Sequence, residues 1–245
     1  MMLKKHADVY WQIHCYSRVI DSYKQRISCK CHLQLWCNHS RPAEMENELR
    51  TSLSKLQLDY VDLYLSHVPT AFDVNFKEQD PSVTVEMVWQ GLEKLVELGL
   101  TKAIGVSNYS VEQMKRIQKI AKIKIHNVQV ECYLYWPQNE MVEYCKKEGI
   151  SFTAYAPLGS PGRVNWTTED NVKVNWPAAP DPMKDETVVK LAGKYHKTPA
   201  QILIRHLMQR GLAVIPKSVN EKRIKENFDV CFIRFEKCLF RLFSK

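Results

Sequence analysis

Val61-Asp62-Leu63-Tyr64-Leu65-Ser66 is the stretch that decides the fold class. It is short, apolar at nearly every position, and closes on polar Ser66 and His67. A strand apolar on both faces is one covered on both faces, as in a parallel sheet. Outward along the chain the pattern returns in Ala103-Ile104-Gly105-Val106, Val128-Gln129-Val130-Glu131, Phe152-Thr153-Ala154-Tyr155 and Ala213-Val214-Ile215. Upstream, Leu33-Gln34-Leu35-Trp36 is a weaker strand of the same kind.

Helices with recognisable ends fill the intervals. Pro42 suits a first helical turn and precedes a stripe of Met45, Leu49, Leu53 and Leu56. Thr84 caps a helix with Val88, Leu92, Leu95 and Val96 inward and Gly99 as its stop. Ser110 and Gln113 form a capping box ahead of Met114, Ile117 and Ala121. Pro137 opens a helix with Met141, Val142 and Cys145 inward and Gly149 at its end. Pro199 opens another, carrying Ile202, Leu203 and Leu207 and ending at Gly211.

Alternating β and α units define a parallel sheet, either doubly wound or closed as a barrel. No G-x-G-x-x-G follows any of the strands, which disfavours the dinucleotide-binding doubly wound type. The expectation is a TIM (β/α)8-type barrel lacking its first two β/α units, because only six strands are found. It occupies residues 33–230. Residues 1–32 form a divergent N-terminal segment and residues 231–245 a basic, apolar C-terminal tail; neither shares the repeating pattern. The tail reads as an ill-fitting terminal segment or as an amphipathic helix for a membrane or partner.

At 245 residues and 45% hydrophobic composition the chain can bury a substantial core. Its net charge of +8 fits solubility and an anionic ligand better than nucleic acid. Eight cysteines are too sparse for a disulfide scaffold of this length. Cys29, Cys31, His32, Cys37 and His39 lack zinc-site spacing, so no metal is expected. Without an apolar leader core or a spanning apolar run, the expectation is a cytoplasmic protein with no membrane partner. The sequons at Asn38, Asn108 and Asn165 would then go unread.

In a β/α barrel, chemistry collects at the C-terminal strand ends. Those ends carry Trp36, His67, Ser107-Asn108, Gln129 to Glu131, Tyr155 and Lys217-Ser218. After the last strand, Ile215-Pro216-Lys217-Ser218-Val219-Asn220 leads into a helical Glu221-Lys222-Arg223-Ile224-Lys225-Glu226-Asn227. Lysine, serine, arginine and a helix N-terminus suit a phosphate monoester; a solvated basic face is the alternative. Tyr155 offers a ring to stack on a planar heterocycle, or simply packs at the rim. The amides of Asn108 and Gln129 suit a carboxamide.

Taken in order, several blocks resemble the aldo-keto reductase family. Asp59-Tyr60-Val61-Asp62-Leu63-Tyr64-Leu65-Ser66-His67 is similar to one of its strand signatures. The later blocks are Gly105-Val106-Ser107-Asn108-Tyr109, Asn127-Val128-Gln129-Val130-Glu131, Tyr155-Ala156-Pro157-Leu158-Gly159-Ser160 and Ile215-Pro216-Lys217-Ser218. The resemblance implies NADPH-dependent reduction of aldehydes or ketones, a small-molecule carbonyl substrate and a monomer. It implies that His67 orients the substrate carbonyl and that Trp36 lines the substrate pocket. Ser107, Asn108 and Gln129 would hold the carboxamide, with Tyr155 stacked on the nicotinamide. Leu158 and Ser160 would lie in the loop over the pyrophosphate. Lys217, Ser218, Arg223, Glu226 and Asn227 would form the adenosine and 2′-phosphate pocket.

The departures bear on catalysis. In the family a tyrosine donates the proton, its pKa lowered by a lysine that pairs with an aspartate. The lysine belongs to a Thr-Lys-Leu-Trp block, which here reads Leu33-Gln34-Leu35-Trp36. Gln34 is neutral. Asp21 and Tyr23 in Ile20-Asp21-Ser22-Tyr23 echo the aspartate block without its spacing, so neither is assigned. The expectation is an enzyme family member with an incomplete tetrad. A noncatalytic NADPH-binding regulator, or a truncated or mis-spliced product of a reductase gene, are the alternatives. The insert Gly162 to Lys184, with Trp166, Trp176 and Pro177, resembles a long loop over the cofactor.

Overall fold

The computed structural model describes residues 12–14, 30–73, 75, 77–165, 176–177 and 179–230. Most of segment 1–32, all of tail 231–245, and Trp166 lie outside the described residues. Two compact units are present. One is Met1–Gln129 with Glu143–Ser151, the other Val130–Val142 with Phe152–Lys245.

The first unit runs β1 (Gln12–His14), β2 (Lys30–Leu35), α1 (Pro42–Leu56), β3 (Leu63–Ser66), α2 (Val85–Glu97), β4 (Ile104–Ser107) and α3 (Val111–Gln118). The division between units passes through β5 (Asn127–Glu131) and α4 (Asn139–Glu148). From β2 to β5 the strands are parallel and in chain order, with Gln34 opposite Leu65, Leu65 opposite Gly105, and Gly105 opposite Asn127. β1 is different: it pairs antiparallel with β2, Gln12 opposite His32 and His14 opposite Lys30.

Burial follows the strand pattern. β3 and β4 are buried at every position, whereas β2 alternates, with Leu33 and Leu35 buried and Gln34 half-buried. That alternation places Gln34 on the face opposite the leucines. The helices seat Met45 and Leu49 of α1 and Trp89 and Leu92 of α2 in the core. The expected caps form. Thr84 accepts from the Met87 N–H, and Ser110 and Gln113 make the reciprocal capping box. Close approach explains Gly105: a Cβ there would stand 2.3 Å from the Asn127 carbonyl oxygen.

The second unit holds β6 (Ser151–Tyr155) from Phe152 onward, α5 (Glu186–Tyr195), α6 (Pro199–Gln209), β7 (Ala213–Ile215) and α7 (Glu221–Phe228). β6 and β7 pair parallel, Thr153 opposite Ala213 and Tyr155 opposite Ile215. Its core joins Val188, Leu191 and Ala192 of α5 to Ile202 and Leu203 of α6. Sequence reading had not found α5, whose start is marked by Asp185 accepting from the Thr187 and Val188 N–H groups. The helix expected from Pro137 begins at Asn139, because Gln138 sits at φ 53°. Its side chain donates to the Glu131 carbonyl at 3.0 Å and anchors that turn.

Candidate functional site

In the first unit, the ends of β2 to β5 bring Gln34, Trp36, His67, Ser107, Asn108 and Gln129 together. Gln34 is the joint. Its Nε2 donates to Gln129 Oε1 at 2.8 Å, and its Oε1 is hydrogen-bonded to His67 Nδ1. The Trp36 ring lies 4.6 Å from the His67 ring, centroid to centroid, tilted by 48°. Asn108 stands at φ 61°, a left-handed conformation that asparagine tolerates better than most residues. Its Nδ2 donates to the His67 carbonyl at 2.8 Å and to Ser107 Oγ at 3.3 Å. Ser107 and Gln129 are 1% and 5% exposed. Burial holds the pKa of His67 below its ordinary value, so the ring is neutral near pH 7.

Each of these residues was singled out in the sequence, but their connection was not. Gln34 was legible only as a missing cation. The structure gives it a positive part, an amide that joins the histidine to the glutamine.

In the second unit, Tyr155 ends β6 half-buried, its carbonyl accepting from the Cys132 N–H at 3.2 Å. Burial, then the Glu131 carboxylate, raises its phenol pKa. The loop beyond it turns through positive φ at Ala156, Gly159 and Ser160. Leu158 packs on the α5–α6 core. Ser160, Gly162, Arg163 and Trp176 line a cavity of about 350 Å³. Arg163, missed by sequence reading, ties this loop down: its Nη2 is 2.7 Å from Glu131 Oε1 and its guanidinium lies over the Trp176 ring at 5.2 Å.

Still in the second unit, β7 leads to exposed Lys217 and half-buried Ser218, whose Oγ accepts from the Asn220 N–H at 3.1 Å. Asn220 in turn caps α7 by accepting from the Arg223 N–H at 3.0 Å. On the same helix Lys225 pairs with Glu221, and Lys222 with Glu226. Among the described residues, Lys217 and Arg223 make no such ion pair. Two cations without a carboxylate partner among the described residues, on the turn and helix that follow β7, carry the kind of charge an anionic group such as a phosphate requires. Glu226 and Asn227 are half-buried on α7, and the Glu226 carbonyl accepts from Gln201 Nε2 at 3.0 Å.

In each unit parallel strands alternate with helices and end on polar side chains, the pattern of an α/β protein with its chemistry at the strand ends. The chain belongs to the aldo/keto reductase family, whose model matches residues 13–242. It is 44% identical over 206 residues to aldo-keto reductase family 1 member A1 of Xenopus tropicalis, covering 80% of this chain and 60% of that protein. It is 37% identical to the prostaglandin-E(2) 9-reductase of Oryctolagus cuniculus, covering 87% of this chain and 67% of that one. Among solved structures it is similar to the aldose reductase of Schistosoma japonicum, with TM-score 0.77 and 33% identity over 90% of this chain and 69% of that one. It is also similar to an aldo-keto reductase of Bombyx mori solved in complex with NADP, with TM-score 0.79 and 32% identity over 90% and 68%. The chain thus spans about 60% of the length of the family 1 member A1 relatives it matches.

Proposed function

We propose that this chain binds NADPH and reduces small-molecule aldehydes or ketones only weakly, because its proton-donating apparatus is incomplete. The observation that carries this is Gln34. The residue at the position where the family resemblance calls for a lysine is a neutral amide, hydrogen-bonded to His67 and Gln129. A neutral side chain exerts no Coulombic pull on a neighbouring phenol, so it cannot lower a tyrosine pKa as a lysine does.

The residue roles follow from the resemblance, supported by the donor sets described above. Ser107, Asn108 and Gln129 hold the carboxamide, and Gln129 keeps its Nε2 hydrogens for that purpose while its oxygen accepts from Gln34. Tyr155 stacks on the ring, and Leu158 and Ser160 lie along the pyrophosphate. Lys217, Ser218, Arg223, Glu226 and Asn227 hold the adenosine and its 2′-phosphate. Trp36 and His67 face the substrate. When bound, the cofactor supplies the hydride. The domain reading, with a reductase barrel over 33–230 lacking its first two β/α units and divergent ends at 1–32 and 231–245, is part of this proposal. So are a monomeric state and a cytoplasmic location, which rest on the sequence.

The test is a titration of the purified chain with NADPH, followed by fluorescence or calorimetry, beside turnover of a simple aldehyde. Saturable NADPH binding is expected. Turnover is expected to fall below that of an intact family member by about 10²–10⁴-fold, the usual scale of a lost general acid. Absence of saturable binding would overturn the cofactor assignment, and full turnover would overturn the impairment.

A further inference from the structure

We propose that Gln34 is a positioning residue that fixes the tautomer of His67, holding the imidazole proton on Nδ1.

The argument is one of hydrogen counting. Gln34 Nε2 donates to Gln129 Oε1, so the atom Gln34 turns to His67 is its carbonyl oxygen. An amide oxygen only accepts, so the hydrogen between Gln34 and His67 belongs to Nδ1. The ring is held neutral by burial, and a neutral ring carries a single proton. The rest of the surroundings keep it in place. Trp36 packs beside the ring, and the His67 backbone is tied by Asn108 Nδ2 on its carbonyl and by the Leu35 carbonyl on its N–H, at 2.8 and 3.0 Å.

The consequence, which rests on His67 facing the substrate carbonyl, is chemical. Nε2 of an Nδ1–H ring is an acceptor, whatever group meets it. A carbonyl oxygen is also an acceptor and draws no hydrogen bond from it, whereas an alcohol hydroxyl does. A lysine at position 34 would reverse the assignment, since its ammonium donates to Nδ1 and leaves the hydrogen on Nε2. The replacement at position 34 therefore alters the second partner of the reaction as well as the first.

The experiment is a long-range proton–nitrogen correlation spectrum of the full chain at neutral pH without nucleotide, the His67 ring being identified by its loss in His67→Gln. The wild type is expected to show the Nδ1–H pattern. Gln34→Glu, which still accepts from Nδ1 while Gln129 turns its amide to donate, is expected to retain it. Gln34→Lys and Gln34→Leu are expected to switch the ring to Nε2–H. A wild-type spectrum of the Nε2–H form overturns the proposal even if no variant folds, and so does an Nδ1–H pattern that survives in Gln34→Leu. NADPH titration is read separately. A chain that shows the Nδ1–H ring but no NADPH binding refutes the cofactor reading and leaves the tautomer assignment standing.

Discussion

The side-chain amide of Asn108 donates to the main-chain carbonyl of His67 at 2.8 Å, joining the turn after β4 to the turn after β3. The same residue holds the left-handed conformation, φ 61°, that lets the chain leave β4 towards the capping box of α3. One side chain thus serves the backbone and the histidine together.

Two substitutions separate those roles. Asn108→Gly tolerates the positive φ but loses the hydrogen bond, whereas Asn108→Ala loses the bond and strains the backbone. Removing the donor is expected to cost about 0.5–1.5 kcal/mol, the net worth of a typical intramolecular hydrogen bond. Asn108→Ala is expected to lose roughly 1 kcal/mol more from the left-handed conformation. Urea unfolding midpoints of the two variants check the order; an equal or smaller loss in Asn108→Ala would remove the backbone half of the account.

Cofactor discrimination is expected to reside in Lys217 and Arg223. If they meet a 2′-phosphate, Lys217→Met and Arg223→Leu each weaken NADPH binding by roughly 10- to 100-fold, the equivalent of a charge-assisted hydrogen bond of about 1.5–3 kcal/mol. NADH, lacking that phosphate, is expected to change little. Parallel titrations with both nucleotides decide it. Equal losses for the two would place these cations away from the phosphate.

The sequence exposed this basic turn readily, because Pro216, Lys217 and Ser218 follow a strand and Asn220 is a strong cap. It exposed the strands too: each of the six apolar runs contains or overlaps one of β2 to β7. What it hid depended on distant partners. Gln34 and Gln129 are far apart in the chain, and nothing local says that one amide will bridge to the other and to His67. Arg163 lay in an insert read for Trp166, Trp176 and Pro177, and its partner Glu131 was read as a strand end. α5 begins directly after the insert, at the Asp185 cap, and lies outside every helix read from the sequence. The antiparallel β1 is three residues long and lies where no periodic pattern marks a strand.

A pH dependence of stability follows from buried His206 and half-buried His67. Burial first, and Arg210 second, push the pKa of His206 down to about 4 from its ordinary 6.5. Burial also lowers that of His67. In both, the unfolded chain binds the proton more readily than the folded one, so stability falls as pH drops from 6.5 towards 4. The contribution of His206 reaches at most about 3 kcal/mol. Carboxylates held low by cations, such as Glu86 hydrogen-bonded to Arg116, act mainly below this window. Denaturant midpoints measured between roughly pH 5 and 6.5 should flatten in His206→Gln, with the His67 share remaining. An unchanged slope would show that His206 titrates normally in the folded chain.

Two glycines provide opposite expectations from a single added methyl group. At Gly105 in β4, a Cβ would meet the Asn127 carbonyl oxygen at 2.3 Å and Leu65 Cδ2 at 2.7 Å. The leucine can turn aside, but the carbonyl belongs to the neighbouring strand, whose pairing with β4 sets Ser107 opposite Gln129. Gly105→Ala must therefore spread β4 from β5, a loss on the order of 1–3 kcal/mol or more for overpacking against backbone. It should also disturb Ser107 and Gln129, which are proposed to hold the carboxamide. Gly162, in the cavity wall, has nothing among the described residues within 4 Å of an added Cβ, and its φ lies outside the left-handed region. Gly162→Ala is expected to be neutral or slightly stabilising, by roughly 0.4–1 kcal/mol, through the reduced freedom of the unfolded chain. Thermal melts of both variants, with NADPH titrations of each, test the pair. A Gly105→Ala protein with wild-type melting and binding would mean that β4 and β5 do not approach as closely as this register requires.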